Sequence, residues 1–267
     1  MRITALYRAE RYSPNSETKD RLIMDAVVGL LRQQGNDVRC IHEDDCLGLD
    51  DTDLCVTMSR SENADEIITR TGVTAINPVG CARRCSKLNV QNVMRSNNIP
   101  MPPKEGTCGY WVKRGDVQPQ SKNDVIFAET SEATELAKQN FNARGIKDVL
   151  VEAHVPGDLV KFYAVEGTDF FRTYYPTDDG DFKFGNELKN GSARHYKYDV
   201  SKLKSEAMRL SRLLDVPVCG GDCIVRKDGS FAIIDFNDWP SFSRCRTEAA
   251  EAVVKLINKK YIVTDDK

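Results

Sequence analysis

The dipeptide Asp228-Gly229 constrains this chain more than any other feature. It lies between two apolar runs, Val218-Cys-Gly-Gly-Asp-Cys-Ile-Val225 and Phe231-Ala-Ile-Ile-Asp-Phe-Asn237. Asp-Gly between alternating apolar residues is the strongest short-range hairpin signal, because a tight turn needs residues that tolerate positive φ. A two-residue turn pairs Lys227 with Ser230, and the same register sets Ile224 opposite Ile233 and Asp222 opposite Asp235. Side chains alternate along a strand, so Asp235 and Asn237 are expected on the face of Phe231 and Ile233.

Directly opposed side chains have Cβ atoms about 5 Å apart. Two carboxylates at that spacing repel by about 3 kcal/mol at an effective dielectric of ~20. A sheet keeps such a pair where a cation offsets it or water screens it. Apolar Ile224 and Ile233 on the same expected face, and the pair Gly220-Gly221 that lets another group approach the backbone, argue against an open, solvated strand end. Two carboxylates and an amide oxygen are hard donors, and they suit Mg²⁺ shared with substrate phosphates.

The rest of the chain divides into two styles. Up to about residue 80, strands and helices alternate, the mark of an α/β domain. Ile3–Tyr7, Asp37–Ile41, Leu54–Met58 and Thr74–Asn77 read as strands, and Lys19–Gln34 and Glu62–Arg70 as helices. A helix over Ser86–Arg95 runs into Ile99-Pro-Met-Pro-Pro103, which cannot continue it and marks a hinge. Beyond it, strands at Tyr110–Lys113, Val125–Ala128, Val149–Val155, Leu159–Val165 and Phe170–Tyr175 surround a helix over Ser131–Ala143. A helix over Lys202–Leu214 precedes the hairpin, and another near Glu248–Asn258 closes the chain.

Composition removes several classes of function. Lys plus Arg number 38 against 40 for Asp plus Glu, so no global field draws the chain to nucleic acid or an anionic membrane. No run approaches the ~18 apolar residues of a membrane span. Nine cysteines without a secretion signal point to reduced thiols and the cytoplasm, and the CxxxC spacings 81/85 and 219/223 differ from the CxxC of zinc ribbons. Neither GxxxxGK[ST] nor GxGxxG occurs, which leaves out the two commonest nucleotide loops.

Four segments in order, over about 77–245, resemble the ATP-grasp superfamily, in particular the glutathione synthase and RimK-like carboxylate–amine ligases. These are Asn77-Pro78 through Ser86-Lys87-Leu88 to Ile99-Pro100-Met101-Pro102; Trp111-Val-Lys113-Arg-Gly115; Val149-Leu-Val-Glu152-Ala-His-Val-Pro-Gly-Asp158; and Asp222-x12-Asp235-x-Asn237 with Pro240. The resemblance implies an α/β N-terminal domain, 1–85, followed by an α+β ATP-grasp module of two lobes. The small lobe would span 86–148, and the large lobe 149–267 with the metal-binding hairpin. It implies phosphate contacts from Lys87 and Lys113, an adenine-binding hinge at Glu152, Ala153, His154 and Val155, and a ribose contact from Asp158. Lys161 and Arg172 would be the catalytic cations, and Asp222, Asp235 and Asn237 would hold Mg²⁺.

The implied activity is ATP-dependent joining of a small-molecule carboxylate to an amine through an acyl phosphate. A small-molecule kinase and a non-catalytic nucleotide-binding module are the alternatives, and a homodimer is left open. The chain departs from the family pattern in two places. Asp-Phe-Asn-Asp-Trp-Pro-Ser stands where Glu-x-Asn, a small residue and Pro-Gly are usual, and the phosphate flap Asp116–Asp124 has no glycine. Substrate is expected between the lobes and the N-terminal domain, facing the loop Arg8–Tyr12 after the first strand.

Overall fold

The computed structural model describes residues 1–117, 119, 121–180 and 189–261. The chain begins β1 (Arg2–Tyr7), α1 (Glu17–Gln33), β2 (Asp37–His42), β3 (Leu54–Thr57), α2 (Glu62–Thr71) and β4 (Thr74–Ile76). These strands form a parallel sheet in the order β2-β1-β3-β4. After its first residue β1 is buried throughout, as a strand covered on both faces must be. Helix α1 buries Ile23, Met24, Val27, Val28 and Leu31 on one face and stops before Gly35, whose φ of 81° an L side chain rarely adopts. The Ser61 hydroxyl caps α2 by accepting from Ala64 N–H.

Next come α3 (Cys81–Arg84), α4 (Lys87–Ser96), β5 (Tyr110–Arg114), β6 (Val125–Ala128), α5 (Ser131–Ala143) and β7 (Val149–Ala153). They are followed by β8 (Asp158–Val165), β9 (Phe171–Tyr174), α6 (Pro176–Asp179), α7 (Val200–Leu214), β10 (Val218–Val225), β11 (Phe231–Asp238) and α8 (Arg246–Tyr261). Two antiparallel sheets result, β6-β5-β7 and β11-β10-β8-β9. The division expected at 148/149 does not follow these sheets. β7 pairs with β5 from Tyr110↔Ala153 to Arg114↔Val149, so the strand assigned to the large lobe belongs to the smaller sheet.

Helix α8 ties the end of the chain to its beginning. Ala249, Val253 and Ile257 share one core with Ile23, Val27 and Leu31 of α1; Val165 and Val218 join it from the larger antiparallel sheet, and Trp239 and Phe242 from the segment that follows β11. The Asn77 side chain adds a polar clamp, donating to Val218 O and accepting from Val218 N–H at 2.8 Å each. A second core lies on the far face of that sheet under α4 and α7, and includes Cys85, Cys219 and Cys223. All nine cysteines are free thiols, and burial pushes that of Cys219 up to about 12.

The hairpin reaches its expected acidic pairing by an unexpected route. The turn is a three-residue loop, not two: Arg226 N–H donates to Ser230 O at 2.8 Å, and Gly229 takes φ 81°. Val225 therefore pairs with Phe231 and Cys223 with Ile233. A β-bulge then restores the register, and Asp222 faces Asp235 after all. The bulge also corrects the expected face. Phe231, Ile233 and Phe236 pack beneath α4 and α7, whereas Ala232 and Ile234 join Val155, Leu159 and Ile224 on the opposite side, the side that carries Asp235 and Asn237.

Candidate functional site

A cavity of about 420 Å³ lies where the three sheets meet. The carboxyl ends of β1 and β3 bring Arg8 and Arg60 to it, the smaller sheet brings Trp111, Lys113 and Glu152, and the larger brings Lys161, Asp222, Asp235 and Asn237. In a parallel sheet ordered β2-β1-β3-β4 the winding reverses between β1 and β3, which is where an α/β sheet opens a ligand crevice.

Three lysine–carboxylate pairs dominate one end. Lys87, at the first turn of α4, places Nζ 2.6 Å from Asp235 Oδ1. Lys113, on β5, places Nζ 2.5 Å from Glu152 Oε2 on the neighbouring strand and donates to Ile234 O at 3.1 Å. Lys161, on β8, lies across from Asp222 in register with its Nζ 3.2 Å from Oδ1. Asn237 donates to Asp235 Oδ2 at 3.1 Å. Burial alone would raise the Asp235 carboxyl, but Lys87, Lys113 and Asn237 outweigh it and hold the group down at about 2.

Asp222, Asp235 and Asn237 supply oxygen donors suited to Mg²⁺, and in this state lysine ammonium groups stand at both carboxylates where a metal cation would. Among the described residues no group of three or more His, Cys, Asp or Glu side chains could close a cage, so a metal here needs donors from its ligand. Gly221 keeps this wall close-packed. A Cβ there would lie 2.2 Å from Asp235 O and 2.6 Å from Phe162 Cζ.

The hinge after β7 lines the same cavity with Ala153, His154 and Val155. Its main chain is partly committed, since Ala153 N–H donates to Pro103 O at 3.0 Å and His154 N–H to Gly109 O at 2.8 Å. Among the described residues the Val155 N–H has no acceptor. His154 Nδ1 accepts from Trp111 Nε1 at 3.0 Å, and burial and then Lys189 hold the imidazole below its ordinary pKa, so it stays neutral. Asp116, Val117 and Pro119 of the flap also line the cavity, while its positions 118 and 120 lie outside the described residues.

Two residues that the resemblance assigns to the site lie elsewhere. Asp158 is 3% exposed and accepts from Arg194 N–H and Tyr196 N–H at 2.8 Å each, so its carboxylate anchors that segment and does not line the cavity. Arg172 pairs with Glu248 on α8 and lies over the Phe170 ring, outside the cavity. The other ten all reach it: Lys87, Lys113, Glu152, Ala153, His154, Val155, Lys161, Asp222, Asp235 and Asn237.

The opposite end was only partly foreseen. The loop after β1 does face the cavity through Arg8 and Tyr12, but Arg60, Asp238 and Trp239 also form its wall. Arg60 Nη2 donates to Asp238 Oδ1 at 2.6 Å, and Arg8 Nη1 to Asp20 Oδ2 at 3.0 Å. Burial, and then the proximity of Arg60, lowers the Arg8 pKa. Buried Glu43 accepts from the N–H groups of Ala9, Arg60 and Ser61 at 2.6, 2.9 and 2.8 Å, tying the loops after β1 and β3 together. A signal for Arg60 was present in the sequence: like Arg8, one residue past β1, it lies just past the carboxyl end of a parallel strand, three residues after β3.

Solved structures share this architecture along nearly the whole chain. The D-alanine–D-alanine ligase of Bacillus anthracis, solved with ATP, is 10% identical with a TM-score of 0.62, covering 96% of each chain. D-alanyl-alanine synthetase A of Vibrio cholerae is 11% identical with a TM-score of 0.69 over 98% of each. A RimK domain ATP-grasp protein of Sphaerobacter thermophilus is 15% identical with a TM-score of 0.63, over 96% of this chain and 99% of that one. No family model and no curated protein sequence matches the chain. At such identities the likeness is one of fold.

Proposed function

This chain has the ATP-grasp fold, and we propose that it is a Mg-ATP-dependent ligase that joins a carboxylate to an amine. The observation that carries the reading is the convergence of Lys87, Lys113 and Lys161, from one helix and two separate sheets, on a single cavity. Each is paired with a carboxylate. Cations clustered in this way suit a polyphosphate, and the carboxylates and Asn237 beside them suit the metal that accompanies it.

In this reading the lysines exchange carboxylate for phosphate oxygens and neutralise charge on the transferred phosphoryl group. Magnesium, held by Asp222, Asp235 and Asn237, would supply further charge neutralisation and orient the phosphates. The reacting carboxylate attacks the terminal phosphorus and ADP leaves. The amine then attacks the acyl carbon and phosphate departs. Val155 N–H, the uncommitted donor of the hinge, and Trp111 suit the purine. Asp158 and Arg172 take no part, each being spoken for outside the cavity.

The test is ADP release by the purified protein with Mg-ATP and pooled amino acids, peptides and hydroxy acids, with free phosphate measured in parallel. ADP and phosphate in equal amounts support the ligase. ADP with phosphorylated product and no free phosphate would make it a kinase. A thermal shift with Mg-ATP and no ADP release from any pool would make it a binding module, which the glycine-free flap would then explain.

A further inference from the structure

We propose that Lys87 and Lys161 are built-in counter-ions at the metal carboxylates, so that a divalent cation and a nucleotide admit one another to the cavity and neither enters it alone. This rests on the ligase reading above, in which Asp222, Asp235 and Asn237 are the metal donors and the lysines meet phosphate.

The carboxylate oxygens are already engaged. Asp235 Oδ1 accepts from Lys87 Nζ at 2.6 Å, and Oδ2 accepts from Asn237 Nδ2 at 3.1 Å. Asp222 Oδ1 and Oδ2 accept from Lys161 Nζ at 3.2 and 3.5 Å. All four oxygens therefore have a donor within the chain. Asn237 presents its amide nitrogen to Asp235, so the amide must turn over before its oxygen can share a metal with that carboxylate. Mg²⁺ sheds its own water reluctantly, and carboxylates matched in this way offer it little in return.

The buried lysines cannot simply withdraw. The Lys87 side chain is 5% exposed, and Lys113, whose Nζ meets Ile234 O one residue before Asp235, is also buried. An ammonium that loses its carboxylate inside the protein needs another anion, because it has no water to turn to. Phosphate oxygens in the same cavity would serve. Lys161 is half-buried and can turn toward solvent, so its hold on Asp222 is the looser of the two.

Charge points the same way. Lys87, Lys113 and Lys161 balance Asp222, Asp235 and Glu152. A divalent cation alone would crowd the ammonium groups, and a polyphosphate alone would crowd the carboxylates. Arriving together, they cancel most of each other's charge, and each lysine passes to phosphate as the metal takes the oxygen it leaves. By linkage, nucleotide tightens metal by the same factor as metal tightens nucleotide. A nucleotide that merely carried its metal in would show that synergy too, but removing a lysine would not then turn the aspartates into a metal site of their own.

The test is equilibrium dialysis of Mn²⁺ against the full chain, with and without ADP. Wild type should retain Mn²⁺ only when ADP is present. Lys87→Met should bind Mn²⁺ without nucleotide, about tenfold or more tighter than wild type. Lys161→Met should gain less, and its half-buried pair keeps the test decisive if Lys87→Met does not fold. In the mirror experiment Asp235→Asn should bind ADP in EDTA about tenfold tighter than wild type, because Lys87 is then free for phosphate. Equal retention of Mn²⁺ by wild type with and without ADP, lysine variants that gain no affinity, or no Mn²⁺ binding to any form would overturn the proposal. ADP release by wild type separates the two readings. Lysine variants that gain Mn²⁺, without ADP release from any substrate pool, keep the counter-ions and discard the ligase, while ADP release beside variants that gain nothing does the reverse.

Discussion

The two ends of the cavity hold their cations in opposite ways. At the lysine end, Lys87, Lys113 and Lys161 each have a carboxylate, and each carboxylate comes from a different strand. At the arginine end, Arg8 and Arg60 stand among Asp20, Asp238 and Glu43, and among the described residues Arg60 Nε and Trp239 Nε1 are left without partners. A flexible ammonium can leave one carboxylate for a phosphate oxygen by rotating about its own stem, so the lysine pairs suit exchange. The guanidiniums are held by Met58 O, Trp239 O, Asp20 and Asp238, so they brace the loops after β1 and β3 against the end of β11.

The largest expected effect lies in the most buried lysine pair. Lys113 and Glu152 side chains are 8% and 3% exposed. Lys113→Ala leaves a carboxylate buried without its cation, and should cost about 3–5 kcal/mol in urea unfolding. Lys113→Met combined with Glu152→Leu should recover most of that loss while leaving Mg-ATP binding impaired. A cost below about 1 kcal/mol for the single variant would show that water reaches Glu152, and the contrast between the two ends would weaken.

A second pair of variants breaks the comparison directly. Asp235→Asn should remove the magnesium-dependent part of the ATP thermal shift, weakening Mg-ATP binding by about tenfold, or about 1.4 kcal/mol. Asp238→Asn, only three residues along the same strand, should leave that magnesium dependence in place. Equal losses in both would mean that the ends are one electrostatic unit.

Much of this arrangement is legible in the sequence, because it depends on local signals. Gly35, Gly72 and the Ser61 cap bound helices where expected, and Lys87, Lys113 and Lys161 mark the site through short motifs. The hairpin shows how a correct pairing can follow from two compensating errors. The Asp228-Gly229 turn is one residue longer than a two-residue turn, and the bulge at Ile234 takes up the difference. Nothing in Ile233-Ile234-Asp235 announces a bulge, since its cause is packing: Phe236 must reach the core under α7 while Asp235 reaches Lys87. The arginine end was hidden for a different reason. Arg8, Arg60 and Trp239 are separated by dozens of residues and meet only because β1 and β3 are neighbours in the sheet and β11 ends beside them. Asp158 and Arg172 fit the motif, yet each is claimed by a partner that motif reading does not see, the 194–196 main chain in one case and Glu248 in the other.

Acid provides a gentler probe of the lysine end. The Asp235 carboxyl sits below its ordinary value of 3.8, at about 2 in the folded chain. A lowered folded pKa means that the unfolded state takes up protons first, so the stabilisation is full above 3.8 and is lost as pH falls through about 2. Lys87→Met removes the main source of that depression. The stability difference between wild type and Lys87→Met, measured by urea unfolding, should be constant above pH 5 and shrink between about pH 4 and pH 2. A difference that persists below that window would mean that Lys87 stabilises by packing alone.

The smallest effect should come from Lys161, although its chemistry is that of Lys113. Lys161 and Asp222 side chains are 25% and 23% exposed, and the Nζ–Oδ1 distance is 3.2 Å against 2.5 Å for the buried pair. Water therefore reaches both partners, screens their attraction and solvates whichever one remains when the other is removed. Lys161→Met should cost about 1 kcal/mol or less in urea unfolding, and raising the salt to about 1 M, where the Debye length falls to about 3 Å, should shrink it further. ADP release, by contrast, should fall steeply, because Lys161 lines the cavity and its ammonium stays accessible to the phosphates. A Lys161→Met variant with full ADP release would move the burden to Lys87 and Lys113, and the exposed pair would then be a strand contact with no part in the chemistry.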